Sequence, residues 1–330
     1  MTASKSVTLH DVAREAGVSL ITASRALSRP DVVSAQTIER VRQAVAATGY
    51  VPNLLAGGLK SKRSMTVAAL VPVVSVPQFL PTLQALTEEF DGAGYQMILG
   101  QTGYDRARED ALLSTMVNRR VDGIVVAGLL SRDAAMGQLR RLDIPIVETW
   151  DLTDRPVDMV VGFSHVKVGS AVAGYFLSKG WHRVGIATAD DERAMQRHAG
   201  FVSTFGRAVP TATVPAPSTV ASGRLALSRL LELEPQLEAV SCSSDGLAQG
   251  VLIEARARGI AVPRQLAVCG FGDADIAAAT EPALTTVRVD GATIGRKAAQ
   301  MVLARCRGEA VHERIIDLGF SIVERASTAR

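Results

Sequence analysis

The chain has 330 residues, of which 47% are hydrophobic and only 4% aromatic, and its formal net charge is +3. This length exceeds that of one ordinary domain and suits a small domain followed by a body with two cores. No apolar run approaches the roughly 20 residues of a membrane span, and the N-terminus lacks the apolar core of a signal peptide, so we expect a cytoplasmic protein with no membrane partner.

The cysteines lie far apart in apolar segments, which favours reduced core residues over a disulfide framework or a zinc site. They are Cys242, Cys269 and Cys306.

Capping residues divide the first 50 residues into short helices. Thr8 is followed three positions later by Asp11, a capping-box spacing that predicts a first helix over residues 9–15. Gly17 permits a tight turn, and Ser19 then caps a second helix. Two short helices joined by a glycine-containing turn form a helix-turn-helix unit, whose second helix enters the major groove of DNA.

A third helix is predicted from its cap at Ser34 to about Thr48. Residues 1–63 carry nine basic and four acidic side chains, a net charge of +5, while the remaining residues carry −2. A basic head of this kind favours binding to the phosphate backbone of DNA. The apolar residues expected to face the core of the head are Ala23, Ala26, Leu27, Ile38, Val41 and Val45.

Beyond residue 63, short apolar runs alternate with helical patterns, which predicts parallel, doubly wound sheets. A change of segment near Phe163 predicts two lobes, and ligands of such sheets bind at the carboxyl ends of the strands, so we expect a cleft between the lobes. The stretch 209–218, rich in Ala, Pro and Thr, is expected to be a connection. The predicted strands are 66–71, 95–100, 123–127, 145–148, 159–162, 183–187, 239–242, 266–269 and 284–287. The predicted helices include 79–93, 106–118, 166–179, 246–257 and 293–305.

The segments TLHDVAREAGVSLITASRALS (8–28) and GYVPNLLAGGL (49–59) resemble the signature of the lactose-repressor (LacI) family. The resemblance implies an α/β fold, with an all-α helix-turn-helix head and a two-lobed body like a periplasmic sugar-binding protein. In that body the chain crosses between the lobes three times, near Gly162, Val289 and Phe320. The expected segments are the head at 1–52, a hinge at 53–63 and a body at 64–330, with lobe 1 at 64–162 and 290–320 and lobe 2 at 163–289 and 321–330.

By the same resemblance, Leu20 and Ile21 begin the recognition helix at the positions that discriminate bases. Apolar side chains cannot donate hydrogen bonds, so they would select thymine methyl groups by van der Waals contact; the alternative is a local packing pair. Arg25 would reach a phosphate or a guanine edge. In the family, a leucine that matches Leu59 inserts into the minor groove. The DNA contacts that the resemblance implies are Thr8, Ser19, Leu20, Ile21, Thr22, Arg25, Asn53, Ala56 and Leu59.

Further segments resemble the gluconate-operon repressor branch of that family. They are IPIVETWD (144–151), VVGFSH (160–165), GFGDADI (270–276) and IDLGF (316–320). An acyclic sugar acid needs a cationic anchor and several hydroxyl partners. Arg197 matches an arginine that reaches the ligand in the family and is the expected anchor, with a salt bridge inside the lobe as the alternative. Lys167 is a second candidate cation, although its place near a helix start favours exposure to solvent.

Gly272 stands where most sugar repressors of the family have an aspartate, so Asp273 or Asp275 is expected to replace that carboxylate in part. For Glu148 and Trp150, a structural role at the end of a strand is the alternative to ligand binding. The expected effector contacts are Ser75, Glu148, Trp150, Arg197, Ser244, Asp245, Asp273 and Asp275.

The five histidines are scattered, none lies in a serine or cysteine nucleophile motif, and GFGDAD lacks the glycine and glutamate spacing of a calcium loop. We therefore expect neither an enzyme nor a bound metal or cofactor. The predicted function is an effector-responsive transcriptional repressor, which binds a palindromic double-stranded DNA operator as a homodimer and is released by a small sugar acid such as gluconate. Two alternatives stay open: a corepressor-dependent regulator and one that responds to a neutral sugar. A periplasmic-type sugar-binding protein is disfavoured by the basic head.

Overall fold

A computed structural model describes residues 7–50, 63–130 and 143–329 of the chain. The chain divides into two compact units, residues 1–64 and 65–330. The hinge residues Asn53, Ala56 and Leu59 lie outside the described residues, so their contacts with DNA stay predictions, as do the expected domain boundaries. Within the described residues, no helix combines the length and the apolar character that crossing a lipid bilayer requires.

The head consists of three helices, α1 (Leu9–Glu15), α2 (Leu20–Ser28) and α3 (Ala35–Thr48), with a 3-10 turn between the last two. The predicted caps form: Ser19 accepts a hydrogen bond from the backbone of Thr22, and Ser34 accepts one from Thr37. The buried apolar residues of the head are Val12, Ala13, Ala16, Ala23, Ala26, Val41 and Ala44. The prediction that Leu27 faces this core is wrong, since its side chain is exposed. Leu27 follows the buried Ala26, and one residue turns a helix by about 100°, which carries its side chain off the buried face.

The body is built on two six-stranded sheets, which confirms the predicted doubly wound architecture. The first sheet contains β1 (Thr66–Val71), β2 (Gln96–Gln101), β3 (Gly123–Ala127), β4 (Ile146–Thr149), β5 (Met159–Gly162) and β11 (Ile315–Asp317), in the order β11-β5-β4-β3-β1-β2. The second contains β6 (Val184–Ala189), β7 (Thr211–Val214), β8 (Ala239–Cys242), β9 (Ala267–Phe271), β10 (Thr285–Arg288) and β12 (Ser321–Val323), in the order β12-β10-β9-β8-β6-β7. Neighbouring strands are parallel except β10 and β12, which pair antiparallel.

Helices cover the sheets and connect the strands. They are α4 (Leu80–Gly92), α5 (Arg106–Asn118), α6 (His165–Ser178), α7 (Glu192–Phe205), α8 (Val220–Leu233), α9 (Asp245–Ala257), α10 (Asp275–Ala279) and α11 (Gly291–Arg307). Three helix pairs pack closely: α6 with α7, α8 with α9, and α4 with α11. The chain moves from the first sheet to the second after β5, returns with α11, which packs on β3, β4 and β5, and leaves again between β11 and β12.

Strand β7 corrects the expectation that residues 209–218 are only a connection. Ala212 and Val214 are buried, while Thr211 and Thr213 are less so, and the strand pairs with β6 in parallel. This alternation is the pattern of an edge strand with one buried face. The strand is only four residues long and lies between prolines, which hid the pattern in the sequence.

Helices α6 and α7 cross with their backbones in contact. A Cβ atom on Gly169 would lie 1.9 Å from the carbonyl oxygen of Arg197, and one on Gly200 would lie 2.1 Å from the carbonyl oxygen of Val166. Neither position has room for any side chain, so the two glycines set the distance between the helices. Because Arg197 belongs to α7 and the start of α6 faces the same region, this crossing positions the residues of the site described below.

Replacing Gly200 by alanine should lower the free energy of unfolding by about 1 to 3 kcal/mol, because the new methyl group meets backbone that must move. Gly174→Ala on α6 is the matched control: a Cβ there meets no atom within 4 Å, and alanine in a helix should be neutral or stabilising by up to about 1 kcal/mol. Urea unfolding followed by far-UV circular dichroism measures both variants. Equal midpoints for the two would show that the close crossing is not required.

Candidate functional site

In the head, the start of α2 presents apolar side chains to the surface. Leu20 is 37% exposed and Ile21 is 64% exposed, so Ile21 in particular is not buried by local packing. The hydroxyls of Ser19 and Thr22 lie 2.8 Å apart and satisfy each other. One turn further along the helix, Arg25 is exposed. Thr8 is also exposed, and its amide and hydroxyl both donate to the Asp11 carboxylate, at 3.0 and 2.8 Å. The geometry of α2 is that of a helix whose leading turn is available to a partner.

In the body, a cleft of about 360 Å³ lies between the two lobes at the carboxyl ends of the strands. Lobe 1 contributes the segment after β1, Tyr104 and Trp150, while lobe 2 contributes the start of α6, α7 and α9. Five of the predicted effector residues line this cleft: Ser75, Trp150, Arg197, Ser244 and Asp245. The polar lining residues that sequence reasoning missed are Gln78, Tyr104, His165, Asp191, Arg193, Ser218, Thr219, Ser243 and Gln249.

The structure places Glu148 away from the cleft. Its side chain is buried, and its two carboxylate oxygens accept hydrogen bonds from the backbone amides of Leu130 and Val157, both at 2.8 Å. These bonds hold two loops of lobe 1 against the end of β4. Sequence alone placed the carboxylate at a strand end but could not show that distant backbone amides occupy its oxygens.

Two further predicted effector residues and Lys167 also lie outside the cleft lining. Asp273 is held between two arginines, at 2.5 Å from Arg288 Nε and 2.6 Å from Arg325 Nη2. Asp275 begins α10 with an exposed side chain. Lys167 is 70% exposed at its side chain and lies 3.6 Å from an Asp317 carboxylate oxygen, in line with the expected exposure to solvent.

Arg197 is fixed in place by groups of the protein. Its Nη1 lies 2.8 Å from Nδ1 of His165, and its Nη2 donates to the carbonyl oxygen of Ser243 at 3.0 Å. The guanidinium also stacks over the ring of Phe271, 4.1 Å from the ring centroid. Burial lowers the pKa of Arg197 to about 10, so the group stays protonated at neutral pH. Its Nε is buried and has no hydrogen-bond partner among the described residues.

The contacts of His165 fix its tautomer. Because an arginine cannot accept a hydrogen bond, Nδ1 of His165 must accept from Arg197, and the proton therefore sits on Nε2, which donates to the Trp150 carbonyl oxygen at 2.8 Å. Burial lowers the pKa of His165 well below its usual value, and the charges of Arg197 and Arg193 lower it further. A neutral histidine thus links an arginine of lobe 2 to the backbone of lobe 1.

Trp150 continues this connection into lobe 1. Its indole Nε1 donates to the hydroxyl of Thr82 at 3.0 Å, and that hydroxyl donates to the carbonyl oxygen of Gly291 at 2.7 Å. Trp150 also has a left-handed backbone, with φ of 62°. The hydrogen bonds therefore run from the cleft to the start of α11, the helix with which the chain returns to lobe 1.

Asp245 is a buried acid whose oxygens are already occupied. The Thr286 hydroxyl donates to Oδ1 at 2.6 Å, and the Ala274 amide donates to Oδ2 at 2.8 Å. Burial raises the pKa of Asp245 to about 6, against the lowering effect of those two hydrogen bonds. Its neighbour Ser244 caps α9 and lies 3.0 Å from the hydroxyl of Ser218. These residues shape the lobe 2 wall of the cleft.

Arg193 lies one helical turn before Arg197 on α7 and lines the same cleft. Its Nη1 donates to the Ala127 carbonyl oxygen at 3.3 Å, and its guanidinium lies 5.4 Å from the ring centroid of Phe79. No carboxylate oxygen in the described part of the chain lies within 4.0 Å of the guanidinium of either arginine. A prediction of α7 as a helix would have placed Arg193 on the same face as Arg197, four residues away, and so identified it.

The wild-type protein should lose stability relative to His165→Asn as the pH falls below about 6.5. The unfolded chain then protonates His165 while the folded chain does not, so the difference in unfolding free energy should fall by up to about 1.4 kcal/mol per pH unit. Asn keeps an acceptor for Arg197 but does not titrate. Asp245 has a raised pKa, which stabilises the folded state in acid; this contribution to the unfolding free energy is the same in both proteins and cancels in the difference. Urea titrations at pH 7.5, 6.5 and 5.5 measure the difference; a constant value would contradict a neutral buried His165.

Two family models match this chain: the model described as bacterial regulatory proteins, lacI family, matches residues 8–53, and that of a periplasmic binding protein-like domain matches residues 173–328. The HTH-type transcriptional regulator GntR of Pseudomonas aeruginosa is 36% identical, over 97% of this chain and 95% of that protein. A LacI-family transcriptional regulator from Silicibacter pomeroyi superposes with a TM-score of 0.92 at 32% identity, over 98% of this chain and 100% of that one. The transcription regulator GntR from Chromobacterium violaceum has a TM-score of 0.76 at 36% identity, over 80% of this chain and 99% of that one. The relatives are transcriptional regulators rather than enzymes, and this chain belongs to the LacI family of DNA-binding transcriptional regulators.

Proposed function

We propose that this regulator is a cytoplasmic repressor that binds a palindromic operator as a dimer and is released from it by a small sugar acid such as gluconate. One observation carries the choice of an acid: Arg193 and Arg197 line the same cleft, and no carboxylate of the described residues lies within 4.0 Å of either guanidinium. The similarity to regulators named GntR supports the same choice.

The electrostatics of the cleft favour an anionic ligand. Asp191 and Asp245 are the acids among its described lining residues, and both accept hydrogen bonds from the protein: Asp191 caps α7, and Asp245 accepts from Thr286 and Ala274. The charge of Asp191 raises the pKa of Arg197, but burial outweighs it and leaves that pKa lowered. A guanidinium that loses water without gaining a counter-charge costs free energy. A ligand carboxylate supplies that charge, whereas a neutral sugar does not.

The rest of the lining suits an acyclic polyol. The hydroxyls of Ser75, Ser244 and Tyr104 and the amide of Gln249 can exchange hydrogen bonds with ligand hydroxyls. Trp150 and Phe271 give the carbon chain apolar surface. A few polar groups placed around an apolar wall are typical of small-molecule sites.

In the head, the exposed leading turn of α2 supports operator reading by Leu20 and Ile21. One head of three short helices contacts one half-site, so two heads related by a twofold axis would read a palindrome. The basic charge of the first 63 residues supports affinity for the phosphate backbone.

D-Gluconate, 2-ketogluconate or 6-phosphogluconate should raise the melting temperature of the purified protein, while ribose, fructose and adenine should not. A ligand at 100 times its dissociation constant stabilises the folded state by about 2.7 kcal/mol, which a thermal-shift assay detects. The active acid should then weaken operator binding in a fluorescence anisotropy assay. An increase in operator affinity would identify a corepressor instead, and a thermal shift with only a neutral sugar or the purine base would refute the sugar-acid effector.

Ile21→Ala should weaken operator binding by about 5- to 30-fold through the loss of apolar contact with a base, while changing the unfolding free energy by less than about 0.5 kcal/mol. Val32→Ala is the matched control, because Val32 is 61% exposed in the same head but lies outside α2. Anisotropy against an operator selected from a random duplex pool measures the affinity, and urea unfolding measures the stability. If both variants bind the operator like the wild type, Ile21 does not read bases.

A further inference from the structure

Within the proposed function, on which this inference rests, we propose that Arg193 binds the carboxylate of the effector and makes the cleft select a sugar acid over its neutral analogues. Arg197 then acts as a positioning residue for the rest of the ligand. The two arginines lie one turn apart on α7 but differ in what already holds them.

Contacts within the protein already hold the guanidinium of Arg197 in place. Both of its terminal nitrogens make hydrogen bonds at 2.8 and 3.0 Å, and one face of its guanidinium is covered by Phe271 at 4.1 Å. These acceptors are neutral, since His165 is uncharged and the other is a backbone carbonyl. A ligand that binds Arg197 must therefore accept the geometry that His165 and Ser243 impose.

Arg193 is held far less tightly. Arg193 donates to the Ala127 carbonyl oxygen at 3.3 Å, near the upper limit for an N–H···O bond, and the Tyr104 hydroxyl is a second hydrogen-bonding neighbour. An arginine has five N–H donors in a planar fork that matches both oxygens of a carboxylate. At Arg193 this fork has only a long bond to a backbone carbonyl and a hydroxyl neighbour, so a bidentate pair with a carboxylate can form there without breaking an ion pair.

The position of Arg193 also orients the ligand. A second cavity of about 500 Å³ lies next to the effector cleft, and Tyr104, Asp191 and Arg193 line both. The acids that line this second cavity are Asp105, Glu109, Asp151, Asp190, Asp191 and Glu192. Arg106 also lines this cavity and pairs with Glu192 at 2.9 Å, but six acids against two arginines still disfavour an anion there, and Arg193 lies at the boundary between this acidic cavity and the cleft. A ligand carboxylate is therefore drawn to Arg193 from the cleft side.

Arg193 reaches the first lobe as well as the second. It belongs to α7 of lobe 2, while Ala127 ends β3 of lobe 1 and Phe79 precedes α4 of the same lobe. A carboxylate bound here lies at the seam of the lobes, where it replaces a weak neutral acceptor with a charged one. Charge-assisted hydrogen bonds are about twice as strong as neutral ones, which is the basis for selection against an uncharged ligand.

The test compares D-gluconate with D-gluconamide, a neutral analogue of the same shape, by isothermal titration calorimetry on the full chain. The wild type should prefer the acid by about 100-fold, and Arg193→Gln should reduce that preference to below about 10-fold by weakening the acid alone. Arg193→Lys keeps the charge without the planar fork and should give an intermediate preference. Arg197→Gln should weaken acid and amide by similar factors and leave their ratio unchanged. Arg229→Gln removes an exposed charge from α8 and should match the wild type.

The outcomes separate this inference from the proposed function. If the wild type prefers the acid and Arg193→Gln keeps that preference, or if Arg197→Gln is the variant that loses it, Arg193 is not the carboxylate residue and the inference is overturned while the function stands. If the wild type binds neutral sugars but none of the three acids of the thermal-shift panel, the function and the inference both fail. Melting temperatures of all four variants show that the compared proteins are folded.

Discussion

The contact of α6 with α7 is the constraint on which the site depends. Gly169 and Gly200 bring the two backbones so close that a methyl group on either would overlap a carbonyl oxygen of the other helix. At this distance, His165 at the start of α6 reaches Arg197 on α7, and the two share one hydrogen bond of 2.8 Å. A wider crossing would break that bond and leave the buried guanidinium with one acceptor fewer, which costs free energy because a charged donor has lost a partner. The close packing of α6 on α7 therefore also fixes the position of Arg197 in the cleft.

Charge is distributed unevenly across the gap between the lobes. Two arginines face the cleft, a group of carboxylates faces the neighbouring cavity, and the acids that do reach the cleft are occupied by hydroxyl and amide donors. Asp245 accepts hydrogen bonds from Thr286 and Ala274, and its burial raises its pKa to about 6. Within the described residues, both arginines therefore face the cleft without a carboxylate oxygen inside 4.0 Å.

The sequence predicts local structure in this chain better than it predicts contacts between distant residues. The caps Ser19 and Ser34 begin α2 and α3 where expected, because a cap acts within three residues. For Glu148, the position at a strand end allows either ligand binding or a structural role, and the structure shows contacts of the second kind: backbone amides 18 and 9 residues away donate to its carboxylate. The sequence around Glu148 does not show which backbone amides will reach its carboxylate, because they belong to loops distant in the chain. Arg193, by contrast, could have been found from its spacing with Arg197 on one helix.

The strands β11 and β12 make the completion of both sheets depend on one short segment of the chain. Only residues 318–320 separate them, yet each completes the edge of a different sheet, next to β5 and β10 respectively. Without residues 315–317 the first sheet lacks its last strand, and without residues 321–323 the second sheet lacks its own; the backbone groups at those edges then have no partner in the ladder. The two sheets therefore depend on the same nine residues, 315–323, for their last strands, so neither lobe completes its sheet with a segment of its own.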